Sequence, residues 1–360
     1  MKSCTLGTLW KGEVMVRSLH AAIVALLAAC LGCGGDYSGP EVPEDRGPSL
    51  TPDGEVAPSS ESVRLVWSND STELFYTTPL DVKSVRLADG AIRTLAAGEG
   101  FADLDLAPGG AALYAVGAPS SGGLHGLVDL LTGRRFPDLP LDYGIPHNVW
   151  PVAVSPNGKY LALEVNGGVG LYELATGSVT AVPGCAPALN FDPRPAVFSP
   201  TGAEILCTAK DGGPWGALIV DLSSGVGRKV TIGGLVHWGS EGLRSLEGGR
   251  AAGTVVFSVK DVEVGTTRVI HAVDPSFLPG GAEWSADGRV IAMWERARCD
   301  DAPSMVCYPF RSRLLVIDLD SGTAAVLASG ADSPGAIAFS SDSMRVAYVI
   351  GTTIHVRAVR

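Results

Sequence analysis

One phrase recurs seven times along this 360-residue chain, and it dominates what the chain can fold into. Each copy is an apolar residue before a short polar turn: Trp67 before "SND", Leu106 before "APG", Val154 before "SPNG", Phe198 before "SPTG", Trp238 before "GSEG", Trp284 before "SADG" and Phe339 before "SSDS". Successive copies lie 39 to 55 residues apart. A short apolar run follows each turn ("KYLALEV", "AEILCTA", "RVIAMW", "RVAYVI"), then a second run ("GVGLYEL", "GALIVDL", "RLLVIDL"). A polar residue and a glycine (Asp89-Gly90, Thr132-Gly133, Thr176-Gly177, Ser224-Gly225, Ser321-Gly322) then turn the chain into a last run.

Four β-prone runs joined by tight turns, repeated about every 45 residues, predict four-stranded antiparallel meanders. One such sheet has two apolar faces and cannot cover them alone. Several packed radially cover one another and leave only short edges. The expected fold is all-β: a seven-bladed β-propeller of four-stranded antiparallel blades. Six blades is the alternative if the fifth copy, followed by the extra stretch "LRSLEGGRAAG", is not a blade. A β-sandwich gives no reason for a turn phrase to repeat at this period.

The ends of the chain carry a further expectation. After the seventh turn the sequence holds strands near Arg345–Ile350 and Thr352–Val359 and no fourth. Near the other end, Asp53-Gly54 reads as the polar–Gly turn and Glu55–Pro58 as the missing strand. Pairing of Glu55–Pro58 with the strand around Ile354–Val359 would close the ring and remove an exposed sheet edge. Pro58 is tolerable there, because an outermost strand pairs only half its N–H groups.

The apolar-Ser-Pro-Asn-Gly turn, its apolar strand and the ensuing "LYELATG" or "IVDLSSG" resemble the repeat of TolB-type β-propellers, which are related in architecture to WD-repeat proteins. The resemblance spans residues 53–360 and implies the fold. It does not imply one function, since that propeller serves binders, scaffolds and peptidase gates alike. TolB has a separate N-terminal domain where this chain has a leader and a tether, so a role in an envelope transport complex does not carry over.

Residues 1–33 read as a targeting segment. Met1 or Met15 is the start, Arg17 supplies a positive charge, and Leu19 to Ala29 is apolar but too short to span a bilayer. It ends in Leu27-Ala28-Ala29-Cys30, which resembles the lipobox of bacterial lipoproteins; Cys33 is the alternative acylation site. Acyl chains would anchor the N-terminus to a membrane. Leu31 rather than Asp follows Cys30, and the expected destination is the outer membrane, facing periplasm or cell surface. Residues 34–52, rich in Pro, Gly, Ser and acid, read as a flexible tether.

Signatures of chemistry are sparse. The patterns G-x-S-x-G, H-E-x-x-H and the P-loop do not occur. A net charge of −11 argues against nucleic acid as a partner. His125, His147, His237, His271 and His355 are scattered, and Asp103 and Asp105 are the clearest acids near a strand start, with solvated turn acids the simpler reading. No catalytic residue, metal or cofactor is expected. Among the cysteines, Cys299 and Cys307 flank one loop and are expected to form a disulfide; Cys185 with Cys207 is a second possible pair.

Loop length says more. In such a meander, the first and third turns of each blade share one face. The second turns and the blade crossings share the other, and there the loops are long: "FPDLPLDYGIPHNVW", "PGCAPALNFDPRPA", "AKDGGPW", "ERARCDDAPSMVCYPFRSR". They carry Tyr143, His147, Phe191, Arg194, Trp215, Asp300, Asp301, Tyr308, Phe310 and Arg311, residue types suited to contact surfaces. The expected function is binding of an envelope protein, peptide or glycan by that face, in a monomeric, lipid-anchored scaffold or binding module. The rival is a lactonase- or glycosidase-like hydrolase with its site at the central channel. A structural spacer is the third reading.

Overall fold

The computed structural model describes residues 57–58, 64–78, 80–97, 101–117, 127–136, 153–165, 168–186, 196–211, 216–252, 254–297, 311–330, 334–351 and 353–359. All belong to one compact unit, Pro48–Arg360. They form seven antiparallel sheets arranged as a propeller. Blade 1 is Leu65–Trp67, Glu73–Thr77, Val82–Arg86 and Ile92–Ala96; blade 2 is Phe101–Leu106, Leu113–Gly117, Leu127–Asp129 and Arg135–Phe136. Blade 3 is Ala153–Val154, Tyr160–Val165, Gly168–Glu173 and Val179–Ala181; blade 4 is Val197–Phe198, Glu204–Ala209, Gly216–Asp221 and Gly227–Thr231. Blade 5 is Gly234–Gly239, Gly242–Ala251, Thr254–Asp261 and Thr267–Ala272; blade 6 is Phe277–Trp284, Val290–Ala297, Ser312–Asp318 and Ala324–Gly330. Blade 7 is Pro334–Phe339, Arg345–Ile350 and Thr353–Ala358, completed by Ala57–Pro58.

The repeated phrase works through its serine. In blade 3, Ser155 Oγ accepts the Tyr160 N–H at 2.8 Å and donates to Asn157 Oδ1 at 2.8 Å, which closes the turn from both sides. Ser285 does the same with the Val290 N–H at 2.9 Å and Asp287 Oδ1 at 2.6 Å. Three residues after this serine the backbone enters the left-handed region, where glycine carries no Cβ penalty. Gly158, Gly202 and Gly288 stand there with φ of 66°, 69° and 68°.

Each blade-to-blade seam among the described residues holds its own buried cluster. Leu65, Trp67 and Tyr76 of blade 1, for example, pack on Ala347, Val349 and Ile354 of blade 7. Trp294 and Leu314 of blade 6 pack on Val346 and Tyr348 of the same last blade. Among the described residues, seven clusters serve the seven seams. Burial of large side chains, at roughly 1.5–3 kcal/mol each, is what holds the ring.

Closure follows the expected strand pairing. Ala57 pairs with Ile354 and Pro58 with Thr353, so the N-terminal strand completes the C-terminal blade. Glu55 and Val56 lie outside the described residues. The fifth copy is a full blade, and the supposed extra stretch is itself its second strand: Gly242–Ala251 pairs with Gly234–Gly239 on one side and Thr254–Asp261 on the other. The misreading came from its composition. "GLRSLEGGRA" has three glycines and polar residues at Arg244, Ser245, Glu247 and Arg250, so it looks like a loop, yet Leu243 and Leu246 are buried in the seams.

Candidate functional site

The first strand of every blade runs along a central channel, from the long-loop face to the short-turn face. Together these strands enclose a cavity of about 960 Å³. Among the described residues its wall is mainly apolar or aromatic, with Arg64, Asp105, His237 and Glu283 as the charged or titratable members.

Asp105 is committed to the wall itself. Its Oδ2 accepts the Val154 N–H of blade 3 at 2.7 Å and its Oδ1 accepts the Leu106 N–H at 2.9 Å. The carboxylate thus ties the first strands of two blades together. The Asp103 side chain is outside the described residues. At the short-turn end, His237 of blade 5 stacks on Trp284 of blade 6, with ring centroids 5.4 Å apart. The imidazole fills space that Gly239 and Gly288 leave open: a Cβ on either would come within 2.7 Å of His237 Nε2. Trp284 Nε1 donates to the Leu235 carbonyl at 3.4 Å, and Trp67 Nε1 donates to the Ala338 carbonyl at 3.0 Å. These two indoles of the repeated phrase therefore pin neighbouring blades together.

A second polar assembly sits at the long-loop end of the seam between blades 5 and 6. The Glu295 side chain is fully buried. Its Oε1 is 2.8 Å from His271 Nε2, and its Oε2 accepts from Arg313 Nε at 2.7 Å with Nη2 at 2.6 Å. The Arg313 guanidinium lies 3.9 Å above the Phe277 ring centre, a cation–π geometry. The Ser276 N–H beside Asp274, with a further contribution from Arg313, holds that carboxyl below the ordinary carboxylate range. A buried carboxylate needs such partners, and here they join the last strand of one blade to the second and third strands of the next.

Sequence reading singled out neither Glu295 nor Arg313. The available signal was alternation, which puts Glu295 on the core face with Ile291 and Met293. Register places Arg313 directly opposite it, but only the packing of blade 5 brings His271 there.

Of the expected contact residues, Arg311 is described: it is exposed, and its carbonyl accepts the Ala297 N–H at 2.7 Å. Tyr143, His147, Phe191, Arg194, Trp215, Asp300, Asp301, Tyr308 and Phe310 lie outside the described residues, as do Cys30, Cys33, Cys299 and Cys307. Cys185 and Cys207 are joined by a disulfide, with Cα atoms 5.6 Å apart and both residues buried. It anchors a short added strand, Cys185–Ala186, on the second strand of blade 4. Among the described residues, no three His, Cys, Asp or Glu side chains stand close enough to share a metal ion.

No family model and no curated relative matches this chain. Solved structures do. An oligogalacturonate lyase from Vibrio parahaemolyticus is 12% identical, with a TM-score of 0.60 over 86% of this chain and 93% of that one. An oligogalacturonate lyase in complex with manganese is 14% identical, with a TM-score of 0.58 over 84% and 90%. TolB from Acinetobacter baumannii, 15% identical, gives 0.46 over 73% and 62%. The shared property is the propeller fold. At these identities the likeness reaches no further.

Proposed function

We propose that this chain is a binding or scaffold propeller of the bacterial cell envelope, held to a membrane by acylated Cys30, which takes a protein, peptide or glycan at the long-loop mouth of its channel. One observation carries the reading. The channel is wide, and of the two acids in its described wall Asp105 spends both oxygens on backbone N–H groups of that wall, while Glu283 Oε1 accepts the Trp284 N–H at 3.3 Å. That favours a surface that holds a ligand over one that transforms it. The buried Cys185–Cys207 disulfide suits a protein that folds in an oxidising compartment and so supports export.

Two experiments test the proposal. In the first, the full chain and a Gly281→Trp variant, whose new side chain starts in open space at the channel wall, are used to capture material from envelope extracts. Retention by the native chain that the variant loses is the expected result. Equal retention by both, or none by either, overturns it. In the second, Cys30→Ala is expected to release the protein from membranes or block its processing; unchanged membrane fractionation would refute the lipid anchor.

A further inference from the structure

The second strand of blade 5 is longer than its inner partner. Pairing with the first strand ends at Gly234 opposite Glu247, while the strand runs on through Gly248, Gly249, Arg250 and Ala251. These four residues are exposed. Their outer side stays paired with Thr254–Phe257, and their inner edge, toward the channel mouth, has no strand beside it among the described residues.

The same end of the second strand is covered in the neighbouring blades. In blade 6 the first strand reaches the full length, Phe277 opposite Ala297, and in blade 7 Pro334 stands opposite Ile350. Blade 4 is the most telling. Its first strand is only Val197–Phe198, and the chain adds a separate extended piece, with Cys185 opposite Ala209 and Ala186 opposite Thr208. An added strand at this position is thus already part of the architecture; in blade 5 the place is open.

The glycines there have no internal reason. Neither Gly248 nor Gly249 has a left-handed φ. A Cβ on Gly249 would meet nothing within 4 Å, and one on Gly248 would make only an ordinary contact with Phe257 at 3.7 Å. Gly281, on the first strand of blade 6 at the channel wall, likewise has open space. Glycine inside a strand costs roughly 0.5–1 kcal/mol relative to alanine and commonly marks a place where another backbone approaches. Beside this edge lies a cavity of about 520 Å³ with Val255, Phe257 and Pro279 in its wall. Arg250 lines it too, and its side chain makes no ion pair or hydrogen bond with the described residues.

We infer that this edge is a peptide-binding site. An extended peptide adds as a strand beside Gly248–Ala251, places an apolar side chain in the cavity against Val255 and Pro279, and sets a carboxylate on Arg250. Main-chain pairing supplies affinity, while the cavity and the cation supply selection. The inference rests on the binding reading above and narrows it to one partner class and one edge.

The test is a selection of random eight-residue peptides with free C-termini against the full chain. Enriched peptides should carry β-branched residues at alternate positions and an acid, and should bind at least about tenfold more weakly to Gly249→Val, which fills the slot, and to Arg250→Gln. The Val side chain meets open space and favours a strand, so the thermal midpoint of that variant should not fall. Peptides that bind both variants as well as the native chain would overturn the site while leaving the binding reading intact. So would failure to enrich any peptide when extract capture succeeds. A dimer that Gly249→Val dissolves, without peptide binding, would assign the edge to a second copy and also overturn the peptide.

Discussion

The Asp342 backbone N–H, in the short turn of the last blade, donates to the Ser71 hydroxyl of the first blade at 3.2 Å. Ser71 occupies the left-handed position that glycine holds in other blades, with φ of 58°. Ser343 repeats the arrangement one seam earlier: its φ is 59°, and its hydroxyl accepts the Asp287 N–H of blade 6 at 3.1 Å. Both serines are buried. The two seams nearest closure therefore trade the comfort of glycine for a hydroxyl that reaches the next blade. Ser341 Oγ, donating to the Ser68 carbonyl at 3.1 Å, and Arg345 Nη1, donating to the Ser71 carbonyl at 3.2 Å, reinforce the clasp.

Ser71→Ala keeps the strained backbone and removes the acceptor. It is expected to cost about 1–2 kcal/mol, read as a lower urea midpoint. Ser71→Gly also loses the acceptor but relieves the left-handed penalty of roughly 1 kcal/mol, so its loss should be visibly smaller. Equal losses for the two would show that the hydroxyl and the strain are not opposed.

The same clasp should be acid-sensitive. Burial alone would raise the Asp342 carboxyl, but the Ser340 hydroxyl, the Met344 N–H, Arg345 and Ser71 together bring it below its ordinary value of 3.8. A carboxyl depressed by folding adds stability above its unfolded value, and that stability is lost as pH falls through the folded value. The gap in thermal midpoint between the native chain and Asp342→Asn should therefore shrink as pH drops from about 6 to about 3. A gap independent of pH would remove Asp342 from the account.

Closure itself is tested by truncation. Deleting residues through Pro58 removes the strand paired with Thr353 and Ile354 and should lower the unfolding midpoint clearly. Deleting only residues 34–48 should not. Identical midpoints would mean that the pairing contributes nothing.

Glu295→Gln leaves the Arg313 guanidinium and the His271 ring without the buried carboxylate that both bind. The expected loss is about 3 kcal/mol, at the lower end for breaking a buried pair because Arg313 retains some contact with water. Replacing Glu295 and Arg313 together by Met should recover most of it, since the desolvation cost goes with the charges. A double variant as unstable as the single one would argue for a different role. Chemical denaturation of the three chains decides.

Cys185→Ser with Cys207→Ser should lower stability by about 3 kcal/mol, as expected for opening a loop of this length; the two cysteines are 22 residues apart. The native protein with and without reductant should show the same difference in thermal midpoint. No difference would mean that strand pairing alone holds the start of blade 4.

Much of this molecule is written locally. A serine that caps its own turn, a glycine or its substitute three residues later and alternating apolar runs need only neighbours in sequence, so blade number, strand order and even the closing strand near Pro58 are legible there. Where the signal failed, as in the glycine-rich second strand of blade 5, composition argued against a strand that tertiary pairing nonetheless imposes. The sites depend on contacts between blades. Asp105 is an available acid in the sequence and a wall clasp in the fold, because Val154, 49 residues on, presents its N–H to it. His271, Glu295 and Arg313 meet only because one blade's last strand packs on the next blade's second and third. The open edge at Gly248–Ala251 exists only because the first strand stops short of it. Periodicity in a chain specifies which faces must be covered; which side chains meet across a seam, and which edges stay bare, is set by register and packing among residues far apart in sequence.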